Sequence, residues 1–225
     1  MTTPSNISPF ASGVYTLPDA AHILGINLPK LRTWVAGVST GETRHMPAGK
    51  FITRASGKNK HFNFYMLIEL FIVAQLRQSG MRMATVRKSR EELSLKFGTP
   101  YPFALKGLLT DGNKLLKEIG NDALLELASG GQVVFETIIK PFCKKLDFDA
   151  ASSLATRFFP LGHDKFVVVD PRHAFGRPVV TGTNIATETL ASLINGGETL
   201  ESVALMYDLP LEKVNDAWQY EKRIA

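Results

Sequence analysis

Two stretches of this chain gather cations at spacings suited to a nucleic-acid surface. The first is Leu28 to Val35, where Lys30, Arg32 and Thr33 stand between apolar Leu31, Trp34 and Val35. The second surrounds Ala55-Ser56-Gly57-Lys58-Asn59-Lys60, where Arg54, Lys58, Lys60 and His61 cluster about a glycine-bearing tip. Arginine and lysine on a helix can reach guanine acceptors in the major groove, and cations on a hairpin can meet phosphates. On an isolated helix Lys30 and Arg32 would read as an ordinary solvated face. What turns them into a DNA-reading set is the order of the elements around them.

Those elements begin at Thr16, an N-cap for a helix with Pro18 and Asp19 in its first turn and Ala20, Ala21, Ile23 and Leu24 as its apolar face. Gly25 suits a left-handed cap, and Asn27 starts a second helix with Pro29 in its first turn. Leu31, Trp34 and Val35 fall on one face of that helix, with Lys30, Arg32 and Thr33 elsewhere on its surface. Short alternating segments, Phe51 to Arg54 and His61 to Phe64, flank the basic tip as a hairpin would. Helix, turn, helix and basic hairpin make a winged helix, whose second helix enters the major groove.

A helix from about Tyr65 to Gln78 is apolar nearly all round and needs cover on several sides, which a second copy of the chain could supply. The next, Met83 to about Phe97, is expected to turn Val86, Leu93 and Phe97 inward and Arg87, Lys88, Arg90, Glu91 and Glu92 outward. Phe103 to Thr110 and Asn113 to Ile119 flank Asp111-Gly112 and predict a hairpin. Gly130 to Lys145 predicts a helix kinked or shortened by Pro141, and Lys165 to Val169 a strand. Asp170 to Asn184 is expected as ordered turn. Helices follow at Glu188 to Asn195, Leu200 to Tyr207 and Leu211 to Arg223, with a core of Leu190, Leu193, Ile194, Val203, Leu205, Val214, Ala217 and Trp218. The expected class is α+β. It divides into a flexible 1–14, a winged helix-turn-helix unit with a dimerisation helix at 15–98, a mixed middle segment at 99–164 and a three-helix domain at 165–225.

Charge agrees with that division. The chain has 225 residues and a formal net charge of +5. Residues 1–100 hold thirteen basic and five acidic side chains, a net of +8, against thirteen and sixteen in the remainder, a net of −3. The surplus sits with the DNA-reading elements, where phosphate attraction would use it. The lone Cys143 excludes an intramolecular disulfide and is expected as a small buried hydrophobe. With neither a signal-peptide pattern at the N-terminus nor an apolar run of spanning length, a cytoplasmic protein is expected.

Catalysis finds no comparable footing. His22, His45, His61, His163 and His173 are scattered without metal-ligand spacing, and His22, on a short helix, is expected to be structural. Ser56-Gly57-Lys58 lacks the upstream glycines of a phosphate loop. Asp147, Asp149, Asp164 and Asp170 sit among turn residues. No catalytic residue, metal or cofactor is expected.

Tyr15 to Arg90, with Leu31-Arg32-Thr33-Trp34 and Phe64 to Leu70 followed by Leu76 to Met81, resembles a MerR-type winged helix-turn-helix. Val168-Val169-Asp170-Pro171, Gly176 to Val180, Gly182-Thr183-Asn184-Ile185, Gly196-Gly197 and Tyr207-Asp208-Leu209 resemble the small helical domain that accompanies PIN-like toxin genes. In that family the position of Asn184 is usually arginine. Together the two resemblances match large VapB-like antitoxins. They imply a homodimer or toxin–antitoxin hetero-oligomer that neutralises a PIN-domain ribonuclease and represses its own operon by binding double-stranded promoter DNA. A PIN nuclease gathers carboxylates around its metal, so Arg172, His173 and Arg177 in the turn region are the implied toxin contacts. The competing expectation is a stand-alone MerR-like regulator that senses a small molecule.

Overall fold

The computed structural model describes residues 13–36, 62–110 and 135–223, and within them the chain is α+β: helices around a four-stranded antiparallel sheet. Helix α1 (Leu17–Leu24) opens on a reciprocal capping box. The Thr16 amide donates to Asp19 Oδ2 at 2.7 Å, and the Asp19 amide donates to Thr16 Oγ1 at 3.3 Å. Gly25 closes α1 at φ +65°, a conformation any Cβ would penalise. Asn27 Oδ1 accepts from the Lys30 amide at 3.2 Å and caps α2 (Leu28–Ala36). Ala20, Ala21, Ile23 and Leu31 are the buried side of this pair.

The expected strand at His61 to Phe64 contracts to a single antiparallel bridge between Phe62 and Tyr15, because Asn63 already caps the next helix through the Met66 amide at 2.9 Å. His61 and the rest of the expected hairpin lie outside the described residues. Helix α3 (Phe64–Gln78) is buried on most of its circumference, and its cover includes α1, α2 and helix α4 (Met83–Phe97). Arg90 points inward, against expectation. It shares a face with Val86 and Leu93, and its guanidinium donates to Glu69 on α3 at 3.0 and 2.7 Å. Phe97, expected inside, is 38% exposed at the end of α4.

Glu69 also accepts from the Phe103 amide at 3.2 Å, which corrects the expected strand at Phe103 to Thr110. That amide is taken by a side chain instead of a neighbouring strand. Pro102–Ala104 turns as a 3₁₀ helix, Leu105 makes one bridge to Leu154, and residues 106–110 are helical. The other arm of the expected hairpin lies outside the described residues. Burial pushes the Glu69 carboxyl up to about 7 against the pull of Arg90 and the Phe103 amide.

Phe135–Ile139 forms a π turn that gives way to α5 (Lys140–Cys143) where Pro141 has no amide hydrogen to donate. Cys143 is buried. The sheet follows as β1 (Leu146–Phe148), β2 (Ala155–Phe158), β3 (Val167–Val169) and β4 (Pro178–Val180), each antiparallel to the next. Strand β4 lies in the stretch expected to hold only turns; Val180 pairs with Val167, and Pro178 takes the first strand position, where a missing amide is tolerated. Phe142 stacks on Phe71 of α3 at 3.8 Å and meets Phe158 of β2 at 5.2 Å, so one apolar cluster runs from Tyr15 to Val169.

Helices α6 (Thr187–Asn195), α7 (Leu200–Met206) and α8 (Leu211–Lys222) enclose a second cluster of Val180, Leu190, Val203, Val214 and Ala217. Two expected core residues are corrected here. Leu205 is 85% exposed, because α7 is anchored through Val203 two residues away. Trp218 is half-buried under the Lys222 ammonium at 4.4 Å, and Tyr220, three residues on from Ala217, is the buried aromatic.

Arg90→Leu, which strands Glu69 in an apolar interior, is expected to cost about 3–5 kcal/mol in a denaturant melt. The double replacement Glu69→Leu/Arg90→Met is expected to recover most of that loss. Equal losses in the single and double variants would show that packing, not the ion pair, sets the cost.

Candidate functional site

Lys30 and Arg32 are exposed on α2, on the side away from buried Leu31, and Thr33 lies on the same helix. Arg54, Lys58, Lys60 and His61 lie outside the described residues. Lys30 and Arg32 are therefore displayed on a capped helix whose Leu31 is committed to the core.

The second expected set surrounds Asp170, a buried carboxylate at the end of β3. Its Oδ1 accepts from the Arg172 amide at 2.9 Å and from Arg172 Nε at 3.3 Å, and His173 Nδ1 lies 3.1 Å from Oδ2. Burial raises this carboxyl, but the hydrogen bonds from Arg172 and His173 outweigh it and hold the group below the usual carboxylate range. Arg172 and His173 thus share one anchor while most of each side chain faces solvent. Arg177 is exposed a turn further on.

Between these residues the backbone runs through three consecutive left-handed positions, Ala174, Phe175 and Gly176, at φ +46°, +56° and +83°. The first two are conformations that L side chains rarely adopt. The turn lifts Phe175 to 70% exposure and lays Gly176 against the Tyr15 ring. A Cβ on Gly176 would clash with the Tyr15 hydroxyl and ring, so glycine lets the N-terminal helix pair approach the C-terminal helices here. The Val14 amide donates to the Phe175 carbonyl at 3.3 Å across the same seam.

A groove of about 750 Å³ runs along that seam. Tyr15, Asp19 and His22 form one wall, and Phe175, Arg177, Asn184 and Glu188 the other. Its floor is a joint between α1 and α8. His22 Nε2 lies 2.8 Å from a Glu221 carboxylate oxygen, and Thr187 Oγ1 donates to the other oxygen. Arg223 donates to the His22 and Ile23 carbonyls at 3.0 and 2.8 Å, closing the open carbonyl end of α1, and lies 3.9 Å over the Tyr220 ring. The edge of Tyr220 meets His22 at 5.5 Å. Burial raises the Glu221 carboxyl, but His22 and Thr187 hold it below its ordinary value. His22 has the structural role expected of it. Glu221 and Arg223 escaped sequence reasoning; the one signal was a basic residue at the end of the last helix, which resembles any helix terminus.

Among the described residues there is no cluster of three or more His, Cys, Asp or Glu side chains that could hold a metal ion, and no helix is long and apolar enough to cross a membrane.

Comparison with known proteins adds the following. Residues 167–220 match a family described as "Protein of unknown function (DUF433)". The chain is 26% identical over 221 residues to a protein of Mycobacterium tuberculosis named "Putative antitoxin VapB45", spanning 91% of this chain and 92% of that protein. It is 24% identical over 220 residues to "Uncharacterized protein Rv2308" of the same organism, spanning 93% and 90%. The crystal structure of Rv2018 from Mycobacterium tuberculosis superposes with a TM-score of 0.66 at 25% identity, covering 90% of this chain and 95% of that one. The fold described here is therefore shared by a solved structure over almost its whole length.

Two outcomes test the joint. Gly176→Ala, which adds both a clash and left-handed strain, is expected to lower the melting temperature and to shift intrinsic fluorescence at the Tyr15 seam. The folded value of Glu221 lies below the unfolded one, so its contribution is present above about pH 4.3 and is lost as pH falls through the folded value. Glu221→Gln should flatten the acid side of a stability-versus-pH curve; an unchanged slope would show that the carboxylate is not held as described.

Proposed function

We propose that this chain is the antitoxin of a type II toxin–antitoxin system, a non-catalytic cytoplasmic protein that neutralises a PIN-domain ribonuclease and represses its own operon as a DNA-bound dimer. One observation carries the reading: the likeness to a protein with an antitoxin name extends over nine-tenths of both chains and is not confined to one shared module. The physical features are consistent with the two jobs. Lys30 and Arg32 stand on a capped helix in the half of the chain that carries +8, with Thr33 beside them, and Arg54, Lys58, Lys60 and His61 are assigned to the phosphate-contacting wing. The remainder, at −3, suits a protein partner better than a phosphate backbone.

For the toxin, Arg177 is the foremost of the three proposed contacts. Arg172 and His173 already spend hydrogen bonds on Asp170, whereas Arg177 stands on the wall of an open groove. A guanidinium there can meet a carboxylate-rich metal site and compete electrostatically with the metal. The second reading, a stand-alone MerR-like regulator, is favoured by the groove itself, whose size falls in the range of small-molecule sites.

Co-expression with the adjacent gene separates the two. The antitoxin reading expects a toxic neighbour whose growth arrest is rescued and which co-purifies with this chain; a toxic neighbour neither rescued nor bound contradicts it. On promoter DNA, Arg32→Ala is expected to relax preference at one base position by roughly 1–3 kcal/mol. Lys58→Ala is expected to weaken all sequences alike and flatten the salt dependence. Binding unchanged in both variants would remove the DNA assignment.

A further inference from the structure

The elbow between α7 and α8 breaks the pattern that the rest of the C-terminal domain obeys. Leu205, Met206 and Leu211 are 85%, 56% and 45% exposed within seven residues of chain. They are held outward by well-formed local structure. Thr199 caps α7 through the Ser202 amide at 3.1 Å, and Val203, fully buried, fixes the helix's rotation. Asp208 adopts a left-handed φ of +50° so that the Leu209 amide can return to the Ala204 carbonyl at 3.0 Å, the six-to-one bond of a Schellman cap. A non-glycine residue at that angle is a conformational cost accepted to make the elbow sharp. Large apolar side chains grouped on an ordered surface mark a contact site, and departures from local patterning concentrate at such sites.

Charge identifies what covers them. Residues 198–212 contain four acidic side chains, Glu198, Glu201, Asp208 and Glu212, and no lysine or arginine. The next residue, Lys213, is turned away to the Thr181 carbonyl at 3.1 Å and the Phe166 ring. An acid-rimmed apolar patch repels nucleic acid and anionic membrane surfaces. Self-pairing across a two-fold axis would set four acids against four.

We propose that the α7–α8 elbow is the docking surface for a partner protein whose contacting pocket is apolar at its centre and lined with lysine or arginine at its rim, and, resting on the antitoxin reading above, that this partner is the toxin. Leu205 and Met206 fill the pocket, and Glu201, Asp208 and Glu212 meet its cations. Apolar anchors would set the dissociation rate and the acids the association rate.

The test uses the full chain and the purified product of the adjacent gene. Leu205→Asp, a change at an exposed position, should keep the wild-type melting temperature and promoter affinity while weakening partner binding roughly thirtyfold or more. Glu201→Lys/Glu212→Lys should slow association at low salt and converge on wild type at high salt. Partner affinity unchanged in Leu205→Asp overturns the proposal and leaves the antitoxin reading intact, whereas a wild-type chain that does not bind the product at all overturns both. A wild-type dimer that Leu205→Asp converts to monomer would assign the patch to a second copy instead and equally overturn it.

Discussion

Arg223, the residue that ends α8, reaches back 200 residues to the end of α1. A helix of eight residues leaves its last four backbone carbonyls without intrahelical partners, and in α1 the Gly25 and Ile26 amides reach only those of His22 and Ala21. Arg223 lays its guanidinium on the His22 and Ile23 carbonyls, a positive charge at the negative end of the helix. The His22–Glu221–Thr187 chain then fixes the neighbouring side chains, and Gly176 permits the seam to close on Tyr15. The helix pair that displays Lys30 and Arg32 is therefore completed by the C-terminal domain. The groove beside it exists because the two meet here.

That arrangement gives physical sense to the uneven charge. Residues 1–100 and 101–225 hold thirteen basic side chains each, and the surplus of +8 arises in the first part because only five acids accompany them there. On the proposed DNA-binding role, that surplus would supply long-range, salt-dependent attraction to phosphates. Interior polar groups are treated differently: among the described residues the deeply buried ion pair Glu69–Arg90 binds α3, α4 and the Pro102 turn together. Its burial makes it costly to break and of little use for recognition. Among the described acids after residue 100, Asp170 and Glu221 serve as anchors, and Glu198, Glu201, Asp208 and Glu212 stand exposed around the α7–α8 elbow.

What could be read from the sequence was what is decided locally. Thr16, Gly25 and Asn27 marked the ends of α1 and α2 because capping depends on residues three or four positions apart, and the beta-branched run ending at Val169 marked β3. The misreadings share a different cause. Arg90, expected outward with the other charged residues of α4, lies in the Val86–Leu93 series and faces inward toward a partner 21 residues away. Phe103 to Thr110 lost its strand to the same distant carboxylate. Leu205 had the spacing of a core residue and the exposure of a contact residue. The joint itself was invisible, since nothing near Arg223 in sequence names the two carbonyls it meets. Of the candidate sites, Lys30 and Arg32 were legible as exposed cations on a helix, and the anchoring of Arg172 and His173 by Asp170 was not.

One binding experiment bears most directly on the account of a two-job protein. The chain is titrated onto its own promoter fragment, the purified product of the adjacent gene is then added, and both DNA mobility and cleavage of a test RNA are followed. The account predicts a shifted DNA complex that shifts again on addition of the partner, with RNA cleavage suppressed at equimolar chain. A partner that leaves the DNA complex unaltered and cleaves RNA at full rate in the presence of excess chain would contradict it.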